Sequence, residues 1–235
     1  MSTNRSIIVL IGGGHAAGKR TTANLIRDEI LKSSSSTIDI ELIDMKDYEE
    51  TNTMKYSSSR SAAISMDPAD QKLALRPSRF DFEKLRSHLL QNIETPVDQP
   101  QKLFLIHGLY ALYDTQLREL SHIKVFVAGD ADARLIQWIK RDVIQQSVHN
   151  LNYVLNQYIQ TARQEMIDFI GFTKEFADVI IPRGGDYNAV KLIVDGIFKH
   201  LLDSDYGNQG NFLRPSDDTK VLKDQFGKSQ FYELS

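Results

Sequence analysis

The run Gly12-Gly13-Gly14-His15-Ala16-Ala17-Gly18-Lys19 combines glycines, a histidine and a lysine in a spacing that suits phosphate chemistry. In Gly13-x-x-x-x-Gly18-Lys19 the glycines let successive backbone N–H groups turn inward on an anion. A helix starting at the lysine adds a partial positive charge, and the ammonium reaches the outer phosphates. The next position ordinarily carries a Ser or Thr hydroxyl that ligates magnesium, whereas this chain has Arg20. Thr21 is one residue further on, and a single step turns a helix by about 100°, which points it elsewhere. The candidate phosphate site is therefore Gly13, Gly14, His15, Ala16, Ala17, Gly18, Lys19, Arg20 and Thr21, with magnesium put in question by Arg20.

Other chemistry-bearing residues are spread along the chain. Asp44 and Asp47, in Asp44-Met45-Lys46-Asp47-Tyr48, follow an alternating strand, where open α/β sheets bind ligands; a helix cap or a solvated loop charge is the competing reading. His107 follows a fully apolar strand and reads as a hydrogen-bonded structural residue or as a catalyst. Arg134, Lys140, Arg141 and Asp142 lie partly off the apolar face of a helix. They form either a solvated charged face or basic groups that offset phosphoryl charge.

The elements that must position these groups follow from apolar patterning. Ile7 to Ile11, Leu103 to Ile106, Ile123 to Val127 and Val179 to Ile181 are short apolar runs of the kind buried in parallel sheets, and Ile38 to Ile43 alternates into a further strand. Helical spacing places Ala23, Ile26 and Ile30 on one face, and likewise Phe82, Leu85, Leu89 and Leu90. A short helix is expected over Thr115 to Leu120. Further faces are Ala133, Ile136, Ile139 and Val143; Leu151, Leu155, Tyr158, Ala162, Met166 and Phe169; and Ala189, Leu192, Ile193, Ile197 and Leu201. Ser33 to Ser36 read as a loop, Glu49 to Arg76 as a polar segment without a period, and Pro96 to Lys102 as a linker. Strands alternating with helices predict an α/β three-layer sandwich, with a mostly parallel sheet and helices on both faces. The domain is expected over residues 1–202, with a polar tail over 203–235.

Composition narrows the function classes. The chain has 235 residues, 41% hydrophobic and 25% charged, within the ordinary globular range. A net charge of −3 gives no reason to expect nucleic-acid or anionic-membrane binding. With no cysteine, thiolate zinc sites and cysteine nucleophiles are excluded. No apolar run approaches the length of a membrane span, and a soluble protein of the cytoplasm, or also the nucleus, is expected.

Taken together with the phosphate loop, several blocks give the chain a family likeness. They are Phe80-Asp81-Phe82, Gly108-Leu109-Tyr110-Ala111-Leu112-Tyr113, Phe126-Val127 with Asp130-Ala131-Asp132-Ala133-Arg134-Leu135-Ile136, Lys140-Arg141-Asp142, Gln157-Tyr158 and Thr173 to Asp186. Over roughly residues 7–200 the chain resembles the uridine kinase family of P-loop kinases, related to phosphoribulokinase. The resemblance implies transfer of the γ-phosphoryl group of ATP to the 5′-hydroxyl of uridine or cytidine, a reaction of pyrimidine salvage. It implies that Lys19 and the loop hold phosphate and that Asp44 takes the hydroxyl proton, with Asp47 an alternative. Tyr48, Arg141 and Gln157 would face substrate. Homo- or hetero-oligomers fit the same likeness.

Departures from the family pattern gather on the chemistry. Arg20 replaces the hydroxyl, His107 replaces a glutamate, and Gln145-Gln146-Ser147-Val148 stands where the family lid has two arginines. Between Phe80 and His107 the chain is shorter than the family norm, by what reads as the pyrimidine-gripping hairpin. Two outcomes fit: a weak or altered kinase, or a catalytically impaired, kinase-like protein that binds nucleotide or a partner and acts as a regulator.

Overall fold

A computed structural model describes residues 3–33, 38–49, 77–96 and 100–205. The polar segment from residue 50 to 76 and the tail beyond 205 lie outside these residues, so the expectations for them stay as read from sequence. The four apolar runs and the alternating one all become strands of one parallel sheet: β2 (Ile7–Gly13), β3 (Asp39–Asp44), β5 (Lys102–His107), β6 (Ile123–Val127) and β7 (Val179–Ile181), in the order β3-β5-β2-β6-β7. The central strands β2 and β5 are buried on both faces, which is why they read as unbroken apolar runs rather than alternating ones. A small antiparallel ribbon of β1 (Thr3–Arg5) and β4 (Glu94–Pro96) was not legible, because both strands are three residues long and mostly polar.

Two apolar layers sandwich the sheet. On one face α1 (Lys19–Ser33) and the last helix, α7 (Tyr187–Asp205), bury Ala23, Ile26, Ile30, Val190, Ile193, Val194 and Ile197 against Ile7, Val9 and Ile11. On the other, α2 (Phe82–Asn92), α3 (Thr115–Leu120) and a long helical rod pack Leu85, Leu89, Leu117 and Ile170 against Ile8, Leu10, Phe104 and Ile106. The fold is thus an α/β P-loop sandwich with helices on both sides. Among the described residues no helix is long and apolar enough to cross a membrane.

Three helix faces differ from the sequence expectation. In α7 the buried stripe is Val190, Ile193, Val194, Ile197 and Leu201, leaving Leu192 62% exposed; the face is turned one position from the expected one. In α2, Leu90 is 54% exposed beside buried Leu89. The largest departure is α4 (Ala131–Ile139), where Ile136 is 49% exposed, Ala133 is on the surface, and the buried residue is Arg134, at 6%. Two glycines explain this: a Cβ on Gly129 would lie 3.0 Å from Arg134 Cγ, and one on Gly14 would lie 2.4 Å from Arg134 Nη1. Their bare backbones form the slot that the guanidinium enters.

The long rod starts as α5 (Leu151–Gln157), widens into π turns at Tyr158–Ala162, returns to α as α6 (Arg163–Glu165), and widens again at Met166–Ile170. Each π turn takes one more residue than an α turn needs, so the inward face shifts along the rod. Tyr158 and Ala162 are buried as expected. Leu151 lies outside, however, and Glu165 is buried at 2% exposure.

Candidate phosphate site

The strand ends are flush where chemistry would occur. Ile11 pairs with His107, and Asp44 pairs with His107 on the other side, so β2, β5 and β3 finish side by side beneath the glycine loop. The loop has the backbone that its sequence requires: Gly13 at φ +139°, Gly18 at +94°, and Ala16, a non-glycine residue, at +54°. A Cβ on Gly13 would stand 2.4 Å from the carbonyl oxygen of Val127, so both conformation and space demand glycine there. Ala16 in the left-handed region is the kind of local strain that concentrates at ligand loops. Lys19 opens α1, and its Nζ donates to the Gly14 carbonyl at 2.6 Å, folded back over the cradle it would serve. Burial first, then the positive charges of Arg134 and Lys46, bring its pKa down to about 7.

Asp44 and His107 stand together below the loop. His107 Nδ1 lies 3.9 Å from Asp44 Oδ1, and His107 is buried. Burial lowers the imidazole pKa against the pull of Asp44, and the charges of Lys19 and Arg20 act in the same lowering direction; the ring is neutral at neutral pH. Asp44 Oδ1 also accepts from the Lys46 backbone N–H at 3.0 Å, capping the 3₁₀ turn Met45–Tyr48. Both readings of Asp44, cap and strand-end carboxylate, describe the same residue.

These residues fit magnesium poorly. The ion demands a near-octahedral shell of oxygen ligands. Here the helix position that would offer a hydroxyl is Arg20, exposed at the start of α1, and the neighbouring strand end offers an imidazole. Among the described residues no three His, Asp or Glu side chains are grouped to hold a metal. We therefore derive no step through a metal ion.

A second polar cluster, which sequence reasoning missed, ties the loop to the rest of the molecule. Glu165 Oε2 meets His15 Nε2 at 2.8 Å, while Oε1 accepts from Arg79 Nη2 at 2.8 Å and from the Tyr110 hydroxyl. Burial alone would raise the Glu165 pKa, but the bond to His15, the charges facing it and the Tyr110 hydroxyl outweigh it and hold the carboxyl below its ordinary range. Burial lowers the His15 pKa, so the ring is neutral and donates its Nε2 proton to Glu165. The His15 ring stacks on Trp138, with centroids 5.1 Å apart and planes 9° from parallel, and Trp138 Nε1 donates to Asp142 at 2.8 Å. His15 is thereby a loop residue braced from two helices. Arg134, read from the sequence as part of a solvated face or as a basic group that offsets phosphoryl charge, is buried rather than solvated: its Nε donates to the Gly129 carbonyl at 3.0 Å, and its buried Nη1 has no hydrogen-bond partner.

The remaining candidate residues are placed as follows. Tyr48 is turned to α2, its hydroxyl 2.7 Å from His88 Nδ1. Arg141 forks onto Asp142, with Nη2 at 3.1 Å from Oδ2, and its charge still reaches Lys19. Gln157 is half-buried on the rod, its carbonyl and side chain both taken by the Thr161 hydroxyl. Thr21 is exposed, with its Cγ2 methyl beside Gly185.

Residues 8–190 match the family described as Phosphoribulokinase / Uridine kinase. The chain belongs to this family. A relative named "Putative uridine kinase DAS2", from Saccharomyces cerevisiae, is 31% identical over 98% of this chain and 97% of its own length. The uridine kinase of Clostridium botulinum strain Okra is 31% identical over 84% of this chain and 98% of its own. "Uridine kinase-like protein 3" of Arabidopsis thaliana is 28% identical over 84% of this chain, which spans only 44% of that longer protein. The family membership and the parallel sandwich agree.

Proposed function

We propose that the protein is a uridine kinase-type phosphotransferase, moving the γ-phosphoryl group of ATP to the 5′-hydroxyl of uridine or cytidine at a reduced rate. The observation that carries this reading is the placement of Lys19, in the loop-to-helix turn after β2, and Asp44, at the end of β3 on the far side of β5, at one edge of the sheet beside a loop of P-loop geometry, close enough for the Asp44 charge to act on Lys19. Asp44 takes the proton as the acceptor oxygen bonds to the γ-phosphorus, and the bridging oxygen leaves with the diphosphate. Lys19 and Arg134 offset the charge on the transferred group, the work phosphoryl transfer asks of its site. The reduced rate follows from Arg20 and His107 at the metal-supporting positions and from a lid segment, Gln145 to Val148, without arginine. Transfer of radiolabelled phosphate to uridine and cytidine is the test. Product above a Lys19→Ala control is expected, and none above it would sink the reading.

A second reading, a nucleotide-binding regulator that has lost transfer, is favoured by the same Arg20 and His107. It predicts nucleotide binding in the wild type with no product in that assay.

Lys19 also makes binding pH-dependent. Its pKa of about 7 in the free site means that much of it is neutral at pH 8, whereas bound phosphate restores the charge. Binding at pH 8 is therefore expected to take up close to one proton, and affinity is expected to fall by up to about tenfold per pH unit above 7. Calorimetry in two buffers of different ionisation enthalpy measures the uptake; identical apparent enthalpies would show that Lys19 is already charged.

A further inference from the structure

We propose that this site takes its nucleoside triphosphate as the metal-free polyanion, with Arg20 and Arg134 supplying the positive charge that a divalent cation supplies elsewhere in the fold. The inference rests on the nucleotide reading above and goes beyond it by fixing which form of the nucleotide is bound.

Two independent features point to it. The first is a buried guanidinium with an unmet donor. Arg134 is 6% exposed, its Nη1 lacks a partner, and it stands against Gly14 in the middle of the cradle. An orphaned N–H of a buried cation is costly unless an anion completes it, and guanidinium groups bind phosphate oxygens through paired N–H donors. The second is Arg20, the second residue of α1, exposed at the helix N-terminus where an anion is already favoured. Its charge acts on His107 at the end of β5, beside the strand end where the fold ordinarily supports a cation.

The donor set repels a divalent ion as much as it fails to hold one. Arg20 and Arg134 are positive, Lys19 takes up its charge as phosphate binds, His107 is an imidazole rather than a carboxylate, and Asp44 is partly engaged by the Lys46 N–H. A triphosphate stripped of its metal carries the extra negative charge that Lys19, Arg20 and Arg134 match. The metal complex has that charge already cancelled and must place its ion beside Arg20. The consequence is a reversed preference: free nucleotide over its magnesium complex.

The test is calorimetric titration of the full chain with ATP, in EDTA and in excess magnesium chloride at matched ionic strength. Binding in EDTA as tight as, or tighter than, in magnesium is expected. Arg20→Ser removes an exposed cation and restores the hydroxyl. It is expected to weaken binding in EDTA by about tenfold, the worth of a hydrogen bond to a charged group, and to move the preference towards magnesium. Thermal unfolding of the variant checks that the fold is kept, as its surface position predicts. Binding only with magnesium overturns the proposal and leaves the nucleotide reading standing; binding in neither buffer overturns both. An Arg20→Ser variant with an unchanged EDTA-to-magnesium ratio overturns the role given to Arg20.

Discussion

Replacing Glu165 by alanine is expected to lower stability by about 3 kcal/mol and the melting temperature by roughly 6–12 °C. The carboxylate is 2% exposed and joins three chain segments that are far apart in sequence: His15 of the phosphate loop, Arg79 ahead of α2, and Tyr110 after β5. Taking it away removes a buried counter-charge of Arg79, whose contact with Glu49 at 3.5 Å is partly solvated. It also leaves the Tyr110 hydroxyl and the His15 ring without their acceptor. The cost of breaking such a pair lies in the groups left behind rather than in the attraction lost. Glu165→Gln, which keeps an acceptor for Arg79 and Tyr110, is therefore expected to lose about half as much.

The pH dependence follows the same logic. The folded-state pKa of Glu165 is lowered, so its contribution is complete above the ordinary value of 4.5 and is lost as pH falls through the lower folded value. The pKa of His15 is lowered from 6.5, so its neutral form is the stabilising one, and acid begins to cost stability below that pH. The gap in melting temperature between wild type and Glu165→Ala should be widest near neutrality and should shrink below about pH 4.5. A gap that is constant down to acid pH, or a melting point unchanged by the substitution, would remove Glu165 from its place as the tie between segments.

The sheet was legible because its central strands are buried on both sides: Ile7 to Ile11 and Leu103 to Ile106 hold apolar residues only, and their shortness and flanking turn signals, Gly12 to Gly14 and Gly108, mark them as strands. The phosphate loop was legible because glycine spacing is a local property of the backbone. The burial of Arg134, which the sequence offered only as a charge off the apolar face, and the role of Glu165 were not, and for two distinct reasons. Arg134 lies inside because Gly14 and Gly129, far from it and near it in sequence, leave a slot there. A helical-periodicity argument weighs apolar residues and has no way to value a slot. Glu165 lies between two π turns, where a 3.6-residue period misplaces the inward face, and its partner His15 is 150 residues away. In both cases the sequence carried the residue types, and only tertiary contact made them a site.

That tertiary contact extends to the glycine pair after β7, and it yields a prediction for binding. Gly184→Ala is expected to weaken ATP binding by about a hundredfold while leaving the fold in place. A Cβ on Gly184 would meet the Ala17 carbonyl oxygen at 2.4 Å and Gly18 Cα at 2.8 Å. Both are backbone atoms of the phosphate loop, so no rotamer change relieves the clash. Seen from the other side, a Cβ on Gly18 would lie 2.9 Å from Gly184 Cα, so the two glycine backbones are in direct contact. The strand behind the turn is anchored, since Ala128 N–H donates to the Ile181 carbonyl at 2.8 Å and β7 pairs with β6. The loop, already strained at Ala16, is the part that yields, and its displaced N–H groups no longer converge on one anion. Gly185→Ala separates this effect from ordinary strain. Gly185 has φ +86°, and a Cβ there would make only ordinary contacts, 3.9 Å from Leu25 Cδ1 and Thr21 Cγ2, so alanine costs about 1–2 kcal/mol of stability without pushing the loop. Calorimetric titration with ATP, beside circular dichroism of both variants, decides the matter. Gly184→Ala binding as tightly as wild type would mean that the loop is not seated on this turn, and Gly185→Ala losing binding as severely would mean that strain alone explains the loss.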